Sequence, residues 1–110
     1  MPSINQAQIA ELKELMEDAF EDLVSTYVQD SEDKIKALSQ ALEAGASDDV
    51  GSLAHSLKGS SLNICAVPLS DTFKEIEDLG KAGDLSTVAE LIAQAQAEFG
   101  NVKNELKQMI

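Results

Sequence analysis

Apolar residues recur every three or four positions along most of this chain, the spacing of helices that each bury one face. Ile4, Ala7, Ile9, Leu12, Leu15 and Met16 predict a short first helix, set across one end of a bundle. Phe20, Leu23, Val24, Tyr27, Val28, Ile35, Leu38 and Leu42 predict a longer second helix, closed by a glycine cap at Gly45. Ser47 is placed to cap a third helix, with Asp48 and Asp49 where the helix dipole favours negative charge. Val50, Leu53, Ala54, Leu57, Ser61 and Ile64 form its apolar face, and it should end near Ala66, because Pro68 fits the first turn of the next helix. Leu69, Phe73, Ile76 and Leu79 mark that fourth helix, which Lys81-Ala82-Gly83-Asp84 stops. A last helix runs from about Thr87 to Met109, with Gly100 as a weak point worth ~1 kcal/mol against alanine.

The joints are short, so consecutive helices should be antiparallel neighbours. The expected fold is all-α: an up-and-down four-helix bundle over 17–110 with an N-terminal accessory helix over 1–16, in a single domain of 110 residues. No internal repeat, low-complexity tract or long linker divides it. A composition of 44% apolar and 4% aromatic residues agrees with a core of aliphatic side chains.

Charge narrows the function. All the basic residues are lysines, and eight of them against 20 carboxylates leave a net charge of −12. That field repels nucleic-acid phosphate and anionic lipid, so neither is an expected partner. Cys65 is the one cysteine and has no partner for an internal disulfide, which suits a reducing cytoplasm. No apolar run approaches the ~20 residues of a membrane-spanning helix, and the N-terminus lacks a signal-peptide pattern. A soluble, cytoplasmic monomer is expected. The single histidine leaves no metal-ligand cluster, and no carboxylate spacing suggests calcium.

That histidine, His55, falls on the outer face of the third helix with Gly51, Lys58, Gly59 and Leu62, at spacings of three and four. An exposed neutral imidazole is a competent nucleophile for a phosphoryl group. Lys58, one turn along, brings an ammonium to neutralise phosphoryl oxygens. Gly51 and Gly59 leave room for an incoming active site, although each costs the helix ~1 kcal/mol against alanine. Two glycines bracketing the single histidine are hard to explain by folding alone.

The string His55-Ser56-Leu57-Lys58-Gly59-Ser60-Ser61, continued by Leu62-Asn63-Ile64-Cys65-Ala66, resembles the signature of histidine-containing phosphotransfer (HPt) domains. The likeness extends from the acidic helix around Phe20 to the Leu- and Glu-rich end. It departs at Cys65, where the family usually has glycine and where a small cysteine should still permit close packing. The resemblance implies a four-helix bundle whose histidine accepts phosphate from a receiver-domain aspartate and passes it to another receiver. Glu77 lies as far after Ala66 as His55 lies before it, so an antiparallel hairpin pivoting there sets the two at one height. In the family a Gln or Glu at the equivalent place bonds the unphosphorylated ring nitrogen, and Glu77 would orient the imidazole in that way.

On this reading the chain is a phosphorelay intermediate of a stand-alone kind, serving receiver domains of hybrid sensor kinases and response regulators. It has no Gly-rich nucleotide loop and so no kinase activity of its own. It binds no cofactor, and Mg²⁺ belongs to the receiver. Gly51, Gly59 and Leu62 are the expected docking residues. The alternative is a helical adaptor that binds receivers without chemistry, but loss of His55 or Lys58 would be expected of it, and both are present. An acyl-carrier-like protein needs an exposed Asp-Ser-Leu, and Asp84-Leu85-Ser86 has the wrong order.

Overall fold

A computed structural model describes residues 3–110. It contains α1 (Gln6–Met16), α2 (Ala19–Glu43), α3 (Ser47–Asn63), α4 (Val67–Ala82) and α5 (Val88–Lys107), with no strand among the described residues. The four long helices close a ring in which each touches the next and α5 returns to α2, while α1 lies against α2. The ring encloses one apolar core, to which Phe20, Leu38, Leu57, Phe73, Ile76 and Leu106 contribute fully buried side chains. Each such side chain stabilises the fold by about 1.5–3 kcal/mol through its removal from water. No described helix is long and apolar enough to cross a membrane.

The N-terminal segment closes the end of the ring where α2 begins and α5 finishes. Asn5 caps α1, its Oδ1 accepting from the Gln8 N–H at 3.1 Å. Its own N–H donates to the Cys65 carbonyl at 2.9 Å, in the α3–α4 turn. Lys13 Nζ donates to the Met109 carbonyl at 2.6 Å. Ile4 and Ile9 are fully buried, but Leu15, expected on the apolar stripe, is 83% exposed. One short helix across a bundle end has core on one side for barely two turns, so its stripe is not filled. Met1 and Pro2, counted in the expected accessory segment, lie outside the described residues.

Two other boundaries differ from expectation for one reason. Helices α2, α3 and α4 all end in a paired-bond turn around a left-handed residue: Gly45 (φ 67°), Cys65 (φ 67°) and Gly83 (φ 74°). In α2, Gly45 N–H donates to the Leu42 carbonyl and Ala46 N–H to that of Ala41. This turn leaves Ala46, not Ser47, as the N-cap of α3, and no side chain caps that end. In α3, Cys65 N–H reaches the Leu62 carbonyl and Ala66 N–H that of Ser61, both at 2.9 Å. The helix therefore stops at Asn63, three residues before the expected Ala66. α4 then begins at Val67, with Pro68 in its first turn, where no intrahelical donor is required.

Position 65 thus favours glycine for its backbone conformation more than for packing, although cysteine occupies it here. A side chain in the left-handed region costs roughly 1–2 kcal/mol, partly offset by the greater unfolded-state freedom of glycine. Cys65→Gly should raise stability by about 0.5–1 kcal/mol, read as a higher thermal midpoint. No change, or a fall, would show that the turn holds cysteine without strain.

Helices α3 and α4 approach each other closely. A Cβ built on Gly80 would lie 2.6 Å from the Gly51 nitrogen and 2.9 Å from its Cα, so backbone meets backbone at this crossing. Gly80→Ala should force the helices apart and cost about 1–3 kcal/mol in a urea unfolding curve. An unchanged midpoint would mean that the two helices slide past each other freely.

Candidate phosphotransfer site

The Gly51–Gly80 contact fixes the register of the antiparallel pair. One turn from it towards the α3–α4 joint stand His55, four residues after Gly51, and Glu77, three before Gly80. The ring lies on the outer ridge of α3 with its side chain 65% exposed, while the Glu77 side chain is 4% exposed between the helices. His55 Nδ1 is 2.8 Å from Glu77 Oε2. An ionised carboxylate only accepts, so Nδ1 carries the proton, and in the neutral ring Nε2 then has the lone pair.

Two ammonium groups hold the same carboxylate. Lys58 Nζ is 2.7 Å from Oε1, an ion pair that makes no well-aligned hydrogen bond to that oxygen. Lys81 Nζ donates to Oε2, also at 2.7 Å, from one turn along α4. Lys58 and then Lys81 pull the Glu77 pKa down from 4.5 to about 2, against burial, which pushes it up, and with a smaller contribution from His55. With a neutral imidazole, the cluster of one carboxylate and two ammoniums carries a net positive charge in an otherwise acidic protein.

The supporting residues explain the serines of the motif. Ser61 is buried, and its Oγ lies 2.9 Å from the Tyr27 hydroxyl, across to α2. Ser60 Oγ donates to the Leu57 carbonyl within α3. Ser56 Oγ accepts from Lys34 Nζ at 2.7 Å, joining α2 to the residue beside His55. Ser70 Oγ of α4 donates to the Lys58 carbonyl, a second tie between the hairpin helices.

Of the residues singled out in the sequence, His55, Lys58 and Glu77 come together. Gly59 is exposed with open space above its Cα, and Leu62 is 51% exposed on the same ridge. Gly51 is corrected: it is buried against Gly80 and Lys81, not displayed for docking, because α4 approaches that flank of the ridge more closely than spacing alone reveals. Lys81 was missed. Its signal was the i, i+4 spacing from Glu77, the favourable order for a helical ion pair. Among the described residues no group of three or more His, Cys, Asp or Glu side chains is placed to hold a metal ion.

A helical bundle that displays one imidazole on its surface and pins the inner nitrogen to a buried carboxylate is the architecture of a phosphoryl carrier. Comparison with known proteins identifies the class: the Hpt domain family model matches residues 22–110, and the chain belongs to that family. The structure also superposes on the crystal structure of histidine-containing phosphotransfer protein B (HptB) from Pseudomonas aeruginosa PAO1 with a TM-score of 0.94. The two are 38% identical over 98% of this chain and 94% of that one. No curated protein sequence matches the chain. The protein is a histidine phosphotransfer protein of phosphorelay signalling.

The Glu77 shift has a consequence in acid. Its folded-state pKa lies below the 4.5 of an unperturbed glutamate, so its stabilising contribution is complete above about 4.5 and is lost as pH falls towards 2. In that window the unfolded chain binds a proton that the folded chain refuses. The stability difference between wild type and Glu77→Gln should therefore narrow from pH 5 to pH 2 in urea melts. A constant difference would show that Glu77 is not held ionised by its lysines.

Proposed function

We propose that His55 is the phosphoacceptor and that Nε2 is the attacking atom. The observation that carries this reading is the 2.8 Å contact from Nδ1 to a buried carboxylate beneath a ring that is otherwise open to solvent. In the transfer, Nε2 forms a bond to phosphorus as the bond from phosphorus to the receiver aspartate's oxygen breaks, and the aspartate leaves as a carboxylate. The ring gains positive charge as it bonds phosphorus while keeping its Nδ1 proton, and Glu77 stabilises that charge. Lys58 offsets charge on the phosphoryl oxygens and on Glu77. The reverse steps hand the group to a second receiver.

Alignment and charge neutralisation account for most of phosphoryl-transfer catalysis, and much of both would come from the partner. Receiver domains of hybrid sensor kinases and of response regulators are the proposed partners, docking over Gly59 and Leu62. Mg²⁺ is assigned to the receiver, and this chain is assigned no cofactor and no kinase activity of its own. A cytoplasmic monomer suits shuttling between two receivers.

The test is transfer of label from a phosphorylated receiver domain to the wild type and to His55→Gln. Acid-labile, base-stable label on the wild type alone is the expected result. Label on His55→Gln would move the acceptor elsewhere, and binding without label across a broad panel of receivers would favour the adaptor.

A further inference from the structure

Lys81 has no place in the reading of the motif, yet it touches the atom on which the imidazole depends. Glu77 Oε2 accepts from His55 Nδ1 at 2.8 Å and from Lys81 Nζ at 2.7 Å, while Oε1 is paired with Lys58 at 2.7 Å. Each carboxylate oxygen thus has its own ammonium. The chain has eight lysines to share among 20 carboxylates, and two of the eight converge on this one buried group.

An exposed i, i+4 ion pair ordinarily contributes little, because water screens it and two long side chains must be ordered. The Lys81 side chain is 64% exposed, but the carboxylate that it reaches is 4% exposed, so water screens the pair from the lysine side only. Its stem also has a prepared path. A Cβ on Gly51 would stand 3.4 Å from Lys81 Cγ and 3.5 Å from its backbone nitrogen, so a side chain larger than alanine there would occupy the space that the stem uses. Gly51 and Gly80 bring the helices together, and Lys81, the next residue, lies across the contact to reach Glu77.

We propose that Lys81 is a positioning residue for the phosphoacceptor: it clamps the Oε2 side of Glu77 so that Nδ1 of His55 meets an immobilised, ionised acceptor. Lys58 alone holds only Oε1 and leaves the carboxylate free to rotate about that contact. With both oxygens held, the proton is fixed on Nδ1 and the lone pair on Nε2. The inference rests on the reading of His55 as the phosphoacceptor, and Lys81 acts only through Glu77.

The experiment combines Lys81→Met, which keeps the stem and removes the charge, with Lys81→Arg and with Glu77→Gln. Lys81→Met should slow phosphoryl transfer within the receiver complex about 10-fold, the lower end for loss of a second-layer partner, and leave receiver affinity within about 2-fold. Lys81→Arg should restore most of the rate. In the Glu77→Gln background Lys81→Met should cost less than about 2-fold, because the group through which it acts is already altered.

Equal costs in both backgrounds would overturn the proposal and place Lys81 directly on the phosphoryl group, on the receiver or in packing alone. A second readout needs no receiver: ¹⁵N spectra of the imidazole in the free protein should show the Nδ1–H tautomer in wild type and a growing Nε2–H tautomer in Lys81→Met. Identical ring spectra would also overturn it. Should wild type take no phosphate from any receiver, the phosphoacceptor reading falls, while the ring spectra still decide whether Lys81 clamps Glu77.

Discussion

The backbone contact between Gly51 and Gly80 is the constraint from which the site follows. A Cβ on Gly80 would collide with the α3 backbone, so the helices cross at a distance that side chains would forbid. Close crossing fixes two things together. It sets the register that brings Glu77 level with His55 one turn away, and it shields the carboxylate under the ring edge, where it is 4% exposed. A wider hairpin would leave a solvated glutamate, free to choose among rotamers and of little use as a fixed acceptor.

Burial of that carboxylate creates the electrostatic problem which the lysines solve. A buried charge is costly unless it is paired and hydrogen-bonded. An imidazolium at His55 could serve as the counter-ion, but a ring protonated on both nitrogens has no lone pair with which to attack phosphorus. Two ammoniums pair with the carboxylate without the ring, so the proposed nucleophile is not needed as its counter-ion. The depression of the Glu77 pKa to about 2 expresses the same balance, since pairing with Lys58 and Lys81 outweighs desolvation. The net positive charge left over sits where an anionic phosphoryl group would arrive, in a chain whose formal charge is −12.

Much of this was legible in the sequence because it depends on helical periodicity. The apolar stripes gave every helix to within a few residues, and the position of His55 opposite Leu57 and Ile64 placed it on an open ridge. Glu77 could be paired with it by counting outward from the turn. What stayed hidden depends on how closely two backbones approach and on single dihedral angles. Gly51 lies near the ridge in angle, and nothing in one helix tells that α4 will cover it. Gly80 reads only as part of the fourth helix's inner stripe, with the stop correctly at Gly83, and nothing in the spacing shows that Gly80 makes the crossing. Cys65 reads as a small packing residue, and only its φ of 67° reveals why glycine suits the place. Lys81 reads only as part of the segment that stops the fourth helix, because its partner's burial cannot be seen in the sequence.

The division of labour within the imidazole explains why so small a chain suffices. Transfer between a histidine and an aspartate needs an aligned nucleophile and neutralised charge. On the proposed reading the bundle meets the first need with one hydrogen bond, which commits Nδ1 to the protein and leaves Nε2 to the partner. On the same reading it meets part of the second with Lys58, already paired with Glu77. That charge is in place before any receiver docks, and little reorganisation of the lysine is required at the moment of transfer. A rigid ring on an open ridge can be offered in the same geometry to successive receivers, as a carrier that both accepts and donates must do.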